Sequence, residues 1–154
     1  MSADLLIRTA EQADLPALLD LYRDLNPSDP PLALEHAVSI WRQISNYPGS
    51  AVFVGVRQNV LVTSCTLVVA PNLTRGGLPY ALIENVVTGA SHRKQGYGAA
   101  VLKHAIAEAW KHNCYKVMLL TGSKNPATLK FYADIGFEQN KTGFQIRRLP
   151  VRED

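Results

Sequence analysis

Apolar residues recur along this chain with two different periods, and the changes of period divide it into elements. Leu5, Leu6 and Ile7 form a short run that predicts a first strand. Leu15, Leu18, Leu19, Tyr22 and Leu25 then repeat at helical spacing, which places them on one helix face. Asp14 precedes them as an expected N-cap, and Pro16 falls in the first turn, where its missing N–H costs nothing. Asn26-Pro27-Ser28-Asp29-Pro30-Pro31 ends that helix. A second helix is expected over 32–44, with Leu34, Val38, Trp41 and Ile44 as its apolar stripe, and a turn follows at Tyr47-Pro48-Gly49.

Strand character then takes over. Two apolar, β-branched runs, 51–56 and 60–69, flank Arg57-Gln58-Asn59 and read as a hairpin. A loop over 71–79 contains Gly76-Gly77, and the next strand covers Tyr80–Thr88. The helical period returns after Gly96, with Val101, Leu102, Ala105, Ile106 and Ala109 on one face. Residues 115–120 predict another strand. Asn125-Pro126 opens a last helix, with Asn as its cap and Pro at its first position, and Gly136 is its left-handed terminator. Phe137-Glu138 and 144–148 predict a closing pair of strands. The order β-α-α-β-β-β-α-β-α-β-β gives an α/β protein, a mixed sheet with helices on both faces.

Bulk properties narrow the classes. A chain of 154 residues suits one domain over 1–154, and about 70% of its unfolded surface can be buried without a disulfide or metal staple. With 47% hydrophobic and 19% charged residues, disorder, collagen and coiled coil are excluded. A net charge of +3 suits a small anionic ligand but is too weak to argue for nucleic acid. Cys65 and Cys114 lie far apart in apolar surroundings, as buried free thiols of a reducing compartment. No apolar run approaches the roughly 20 residues of a bilayer span. Met1-Ser2-Ala3-Asp4 lacks a signal peptide's basic start and apolar core. A cytoplasmic protein with neither membrane nor nucleic-acid partner is expected.

The chemistry concentrates in His92-Arg93-Lys94-Gln95-Gly96-Tyr97-Gly98-Ala99, between a strand and a helix. Glycines let the backbone approach a ligand, free N–H groups at a helix start point outward, and the helix dipole favours negative charge. Arg93 and Lys94 add formal charge. This is a phosphate cradle. The dinucleotide fingerprint does not fit, because Val101 stands where its third small residue belongs. Gly122-Ser123-Lys124 has the wrong order for a Walker loop and lacks the upstream glycine. What remains is Arg93-x-x-Gly96-x-Gly98.

That pattern resembles the acetyl-CoA pyrophosphate loop of the GNAT superfamily of N-acetyltransferases. The likeness extends to the strand Ile83-Glu84-Asn85-Val86-Val87 before it. It extends also to Asn125-Pro126-Ala127-Thr128-Leu129-Lys130-Phe131-Tyr132-Ala133-Asp134-Ile135-Gly136-Phe137, similar to the family's later N…A…FY…GF segment. The resemblance spans the element order over 4–148, and 83–137 looks most like glucosamine-phosphate N-acetyltransferases. It implies a mixed, mostly antiparallel seven-stranded sheet with a central parallel pair and helices on both faces. It also implies acetyl-CoA as co-substrate, a small-molecule amine as acceptor, and a homodimer.

By this resemblance the backbone of Val86, Val87 and Thr88 pairs with the pantetheine arm like an added strand. Backbone N–H groups of Lys94, Gln95, Gly96, Tyr97, Gly98 and Ala99 hold the pyrophosphate, and Arg93 either joins them or orders the loop. Asn125 reaches the pantetheine, caps its helix, or does both. Glu84 is the expected general base, acting through water, because a carboxylate in an apolar run is costly unless paired or functional. The alternative turns it to a wet face or into a salt bridge. Tyr132 is the expected acid for the departing thiolate, with a packing aromatic beside Phe131 as the alternative. A strand N–H near Val86 would stabilise the oxyanion.

His92 reads as a solvated or capping residue, His104 and His112 as exposed, and no His/Cys/Asp/Glu group has metal-ligand spacing, so no metal is expected. Tyr22, Asn26, Trp41, Arg75, Tyr80 and Phe144 border the expected acceptor region, each with an equally good core or loop role. The chain lacks a long acidic patch for polycationic acceptors, which favours a small amine over a protein Nα- or lysine-acetyltransferase reading. A non-catalytic CoA-binding sensor would be expected to lack Glu84 and Tyr132.

Overall fold

The computed structural model describes residues 4–150; Met1-Ser2-Ala3, which bear on the leader reading, and residues 151–154 lie outside the described part. The elements are β1 (Leu5–Thr9), α1 (Leu15–Tyr22), α2 (Leu34–Asn46), β2 (Ala51–Arg57), β3 (Val60–Ala70), β4 (Tyr80–Thr88), α3 (Tyr97–Lys111), β5 (Val117–Met118) and α4 (Pro126–Ile135). They build one sheet in the order β1-β2-β3-β4-β5. Every pairing is antiparallel except β4 with β5, which is parallel. The hairpin between β2 and β3 is tighter than expected. Arg57 belongs to the strand, and only Gln58 and Asn59 turn, with φ of 48° and 62°, the left-handed pair that matches strand twist.

Alternation along the strands feeds two cores. On one face Phe53, Cys65, Leu67, Val69, Ala81 and Ile83 pack beneath Val101, Leu102, Ala105 and Ala109 of α3. On the other, Val52, Val54 and Val87 pack against Leu15, Leu18 and Leu21 of α1 and Ala37 of α2. Helices therefore cover both faces, as the pattern implied. Both cysteines are free and buried.

Three expectations need correction. Asp14 does not cap α1. Its carboxylate accepts the Glu11 N–H at 2.7 Å and pairs with the Arg8 guanidinium at 2.6 and 2.9 Å, and that guanidinium holds its pKa below the usual carboxylate range. Leu34 leaves the apolar stripe of α2 and is exposed, and the buried residue there is Ala37. The sheet has five strands among the described residues, not seven, so the parallel pair lies at an edge rather than in the centre. Residues 137–147 form no strand. A strand needs a partner edge as well as an apolar face to cover, and beyond Phe137, which packs on the core under α3, this segment finds neither. No backbone bond joins it to β5, Phe144 is 91% exposed, and Ile146 is fully exposed.

Candidate active site

The ladder between β4 and β5 is short. Ala81 pairs with Val117 and Leu82 with Met118, and the pairing ends there. Beyond Leu82 the β5-facing edge of β4 is open. β4 also carries a bulge. Thr66 of β3 pairs with Glu84 and Ser64 pairs with Val87, so Asn85 and Val86 share the place opposite Cys65. Asn85 absorbs the extra residue with φ of 53°. A bulge bends its strand and raises local twist, which agrees with the early end of the parallel ladder.

The loop that follows leaves backbone N–H groups unpaired among the described residues. After Thr88 a 3-10 turn over Ala90–His92 leads to Lys94 and Gly96, both left-handed with φ of 60° and 83°. Gly96 precedes α3, which has no side-chain cap. Its first internal bond is Ala100 N–H to Gly96 O at 3.1 Å, so the N–H groups of Tyr97, Gly98 and Ala99 have no acceptor among the described residues. α4 shows the contrast, because Asn125 Oδ1 accepts its Ala127 N–H at 3.0 Å. An uncapped start on a 15-residue helix leaves its dipole and donors for a ligand. Gly98 sits where β4, α3 and α4 meet. A Cβ there would lie 3.2 Å from Thr88 Oγ1 and 3.3 Å from Phe131 Cζ.

Arg93 orders the loop. Its Nε donates to Thr88 O at 3.3 Å and its Nη2 to Asp24 O at 3.4 Å. Asp24 completes the tie, accepting the Ala90 N–H on Oδ2 at 2.8 Å. Sequence reasoning missed Asp24, because no local pattern marks it and its partner is 66 residues away. Lys94 and Gln95 are exposed. The Tyr97 ring is buried, and its hydroxyl donates to Gln95 Oε1 at 3.0 Å, holding the loop from inside. His92 donates its N–H to Gly89 O at 2.8 Å, with its ring tilted against Tyr97.

The two expected catalytic side chains lie on opposite faces of the sheet. Ile83 belongs to the core under α3, so alternation turns Glu84 to the α1 face, where it is exposed beside Thr66. The wet face allowed for in the sequence is thus where Glu84 lies, and no salt bridge holds it among the described residues. Tyr132 packs at the α3 face, edge-on to Phe131 at 5.1 Å and to Phe137 at 6.0 Å. Burial pushes its hydroxyl pKa above the usual phenol value. That hydroxyl has no hydrogen-bond partner among the described residues, and it stays a proton donor at neutral pH. Asn125 is a cap, with its amide nitrogen left over.

The other candidates separate. Burial pushes the Cys65 thiol to about 12 and raises the Cys114 thiol as well, which disfavours the reactive thiolate at both. Arg75 stacks on Tyr115 at 5.5 Å, and Lys116 lies over Tyr80 at 5.8 Å, at the closed end of the β4–β5 pair. Trp41 and Tyr22 line a small apolar cavity of about 80 Å³ between α1 and α2. Phe144 stands clear of them all. No described helix is long and apolar enough to cross a membrane.

Known proteins share this fold. A family model described as the acetyltransferase (GNAT) family matches residues 16–137. A glucosamine 6-phosphate N-acetyltransferase of Trypanosoma brucei brucei is 31% identical over 144 residues, 93% of this chain and 95% of that protein. A solved candidate acetyltransferase of Agrobacterium tumefaciens is 50% identical, with a TM-score of 0.89 over 93% of this chain and 99% of the other. The glucosamine-6-phosphate N-acetyltransferase of Arabidopsis thaliana superposes with a TM-score of 0.83 over 94% of this chain and 97% of its own, but at 18% identity that likeness shows the fold alone. The chain therefore belongs to the acetyltransferase (GNAT) family and is an acetyl-CoA-dependent N-acetyltransferase.

Proposed function

We propose that this enzyme transfers the acetyl group of acetyl-CoA directly to the primary amine of a small molecule, with an amino sugar phosphate the first acceptor to test and an amino acid or related amine next. The observation that carries the donor side is the uncapped start of α3, with three free N–H groups beside the open edge of β4. Those N–H groups, with Lys94, Gln95 and Gly96, hold the pyrophosphate. The edge of Val86, Val87 and Thr88 takes the pantetheine as an added strand, and the spare amide of Asn125 faces the same arm. The acceptor side is supported by the 31% identical glucosamine 6-phosphate N-acetyltransferase.

Glu84 takes the proton of the amine through a water molecule, and the freed lone pair attacks the thioester carbonyl. The N–H at the bulge near Val86 stabilises the oxygen as it gains charge, an effect that grows in a water-poor cleft. Tyr132 gives its proton to the sulfur as the carbon–sulfur bond breaks, and the second proton left on the acetylated nitrogen returns to the Tyr132 oxygen, so that a neutral amide, free CoA thiol and neutral phenol result. No metal takes part. Acetyl-CoA is expected to raise the melting temperature, by about 2.7 kcal/mol of stability at a hundredfold excess over Kd. Acetyl-pantetheine, lacking the pyrophosphate, should raise it less. No shift at saturating acetyl-CoA would sink the donor assignment. Release of free CoA across an amine panel headed by glucosamine 6-phosphate then identifies the acceptor, and a panel in which no small amine is acetylated removes that half of the reading.

A homodimer is part of the proposal. Phe144 and Ile146 alternate along an unpaired segment, beside a β5 whose outer edge is also unpaired and whose neighbour Leu120 is 71% exposed. Two copies can cover both. The protein should sediment as a dimer and Ile146→Asp as a monomer. A wild-type monomer at micromolar concentration would contradict this.

A further inference from the structure

Thr63 is a fully buried polar residue on β3, two positions from Cys65 and so on the same face, beneath α3. A hydroxyl in a core costs stability unless it is bonded, and this one is bonded twice. Its Oγ1 donates to Val87 O at 2.9 Å and lies 2.9 Å from Thr88 Oγ1. A hydroxyl has one hydrogen. Thr63 gives its own to Val87, so Thr88 is the donor in the second bond. Thr63 and Thr88 are also direct partners across the antiparallel ladder. The Thr63 methyl is fixed as well. Its partner on β2 is Gly55, where a Cβ would lie 2.6 Å from Thr63 Cγ2. Glycine at 55 thus leaves room for the methyl while the hydroxyl is aimed at β4.

The bulge at Asn85 interrupts the β3–β4 ladder, and a bulged strand bends. Past the bulge, β4 returns to β3 through the pairs Ser64–Val87 and Thr63–Thr88, and Gly89 N–H then donates to Val62 O at 2.9 Å. Thr88 Oγ1 lies 3.2 Å from where a Gly98 Cβ would stand, against the uncapped first turn of α3. One buried hydroxyl therefore joins the end of β4 to the residue that touches the start of α3.

We propose that Thr63 is a positioning residue for acetyl-CoA, holding Val87 and Thr88 from the β3 side so that their opposite edge and the first turn of α3 keep the spacing the donor needs. This rests on the reading of that edge as the partner of the pantetheine arm. The Thr88 hydrogen is committed to Thr63, so the Thr88 hydroxyl acts through that bond rather than on the ligand. The two threonines work as one unit.

Calorimetric titration with acetyl-CoA tests this without an acceptor. Thr63→Ser and Thr63→Ala lose the same methyl and differ only in the hydroxyl. The serine variant should bind as wild type does, and the alanine variant about tenfold more weakly, the equivalent of one hydrogen bond. Equal affinity for the two variants overturns the proposal. Thr88→Ala, at a half-buried position that tolerates truncation, should show the same tenfold loss, and wild-type affinity there overturns it too. The double variant should bind within about twofold of the weaker single, because groups in one hydrogen-bond network are not additive, whereas losses that multiply would mean that the two threonines act separately. Val69→Ala, buried at the far end of the same face of β3, is the control for general destabilisation. It should lower Tm and leave Kd unchanged, and a loss of affinity equal to that of Thr63→Ala would leave Thr63 no specific role. Hydrogen exchange separates the failures. Acetyl-CoA should protect backbone N–H groups of residues 86–88 in the wild type. Without that protection the reading of the edge falls, and this proposal with it. With it, and with normal binding by Thr63→Ala, the role of Thr63 alone is wrong.

Discussion

Tyr132→Phe should lower the single-turnover rate of acetyl transfer by about a hundredfold while leaving acetyl-CoA affinity unchanged. The argument is local. The Tyr132 ring packs on Phe131 and Phe137, and phenylalanine keeps both contacts. The hydroxyl makes no hydrogen bond among the described residues, so its removal costs the fold nothing, and stability should stay within about 0.5 kcal/mol. What is lost is one proton donor. A departing CoA thiolate is a thiol anion with an ordinary pKa near 8.5, so it leaves poorly at neutral pH without a donor. Burial has raised the phenol pKa, which keeps it protonated through neutrality. The wild-type rate should therefore show no loss from this group through the neutral and mildly alkaline range. Single-turnover measurement matters, because slow CoA release would otherwise mask the chemistry. An unchanged rate there would return Tyr132 to the role of a packing aromatic.

How much of this was legible in the sequence depended on distance along the chain. The start of α4 was written in Asn125-Pro126 and its end in Gly136, because caps are chosen by neighbours a few residues away, and both stand as read. The geometry of the expected phosphate cradle was equally local, since two left-handed positions and an uncapped helix start occupy one short loop. What depended on pairing was not legible. The bulge at Asn85 exists only in register with Cys65 of β3, and Asn85 carries no mark of it. Asp24 matters to the cradle only because α1 brings it to Ala90. Asp14 had an N-cap's position and was claimed instead by Arg8 and the Glu11 N–H. The Phe144 and Ile146 alternation is a true strand pattern, but a pattern states which face wants burial and not what will bury it.

Gly98→Val should weaken acetyl-CoA binding by about a hundredfold, far more than it weakens the fold. A single added carbon at Gly98 already meets Thr88 Oγ1 at 3.2 Å and Phe131 Cζ at 3.3 Å, and valine adds two methyls beyond it. Overpacking of this kind costs about 1–3 kcal/mol, and the structure relieves it by moving the lightest part. β4 is held by its ladder with β3, and α3 by the core around Val101 and Leu102, both fully buried. The first turn of α3 has neither a cap nor a ladder and is anchored by the Tyr97 ring alone, so it is the part that yields. That turn carries the N–H groups of Tyr97, Gly98 and Ala99. Hydrogen bonds to a charged group are worth about 1.5–3 kcal/mol each, and about 1.4 kcal/mol is a tenfold change in Kd, so misaiming two of them accounts for the loss. Gly96→Ala is the informative comparison. Nothing lies within 4 Å of a Cβ there, so only its left-handed φ of 83° is strained, at roughly 1–2 kcal/mol. Calorimetric titration should rank the affinities wild type, Gly96→Ala, Gly98→Val. Equal affinity for Gly98→Val and wild type would mean that the start of α3 does not hold the pyrophosphate, since no anion bound there would tolerate the shift that Thr88 and Phe131 force.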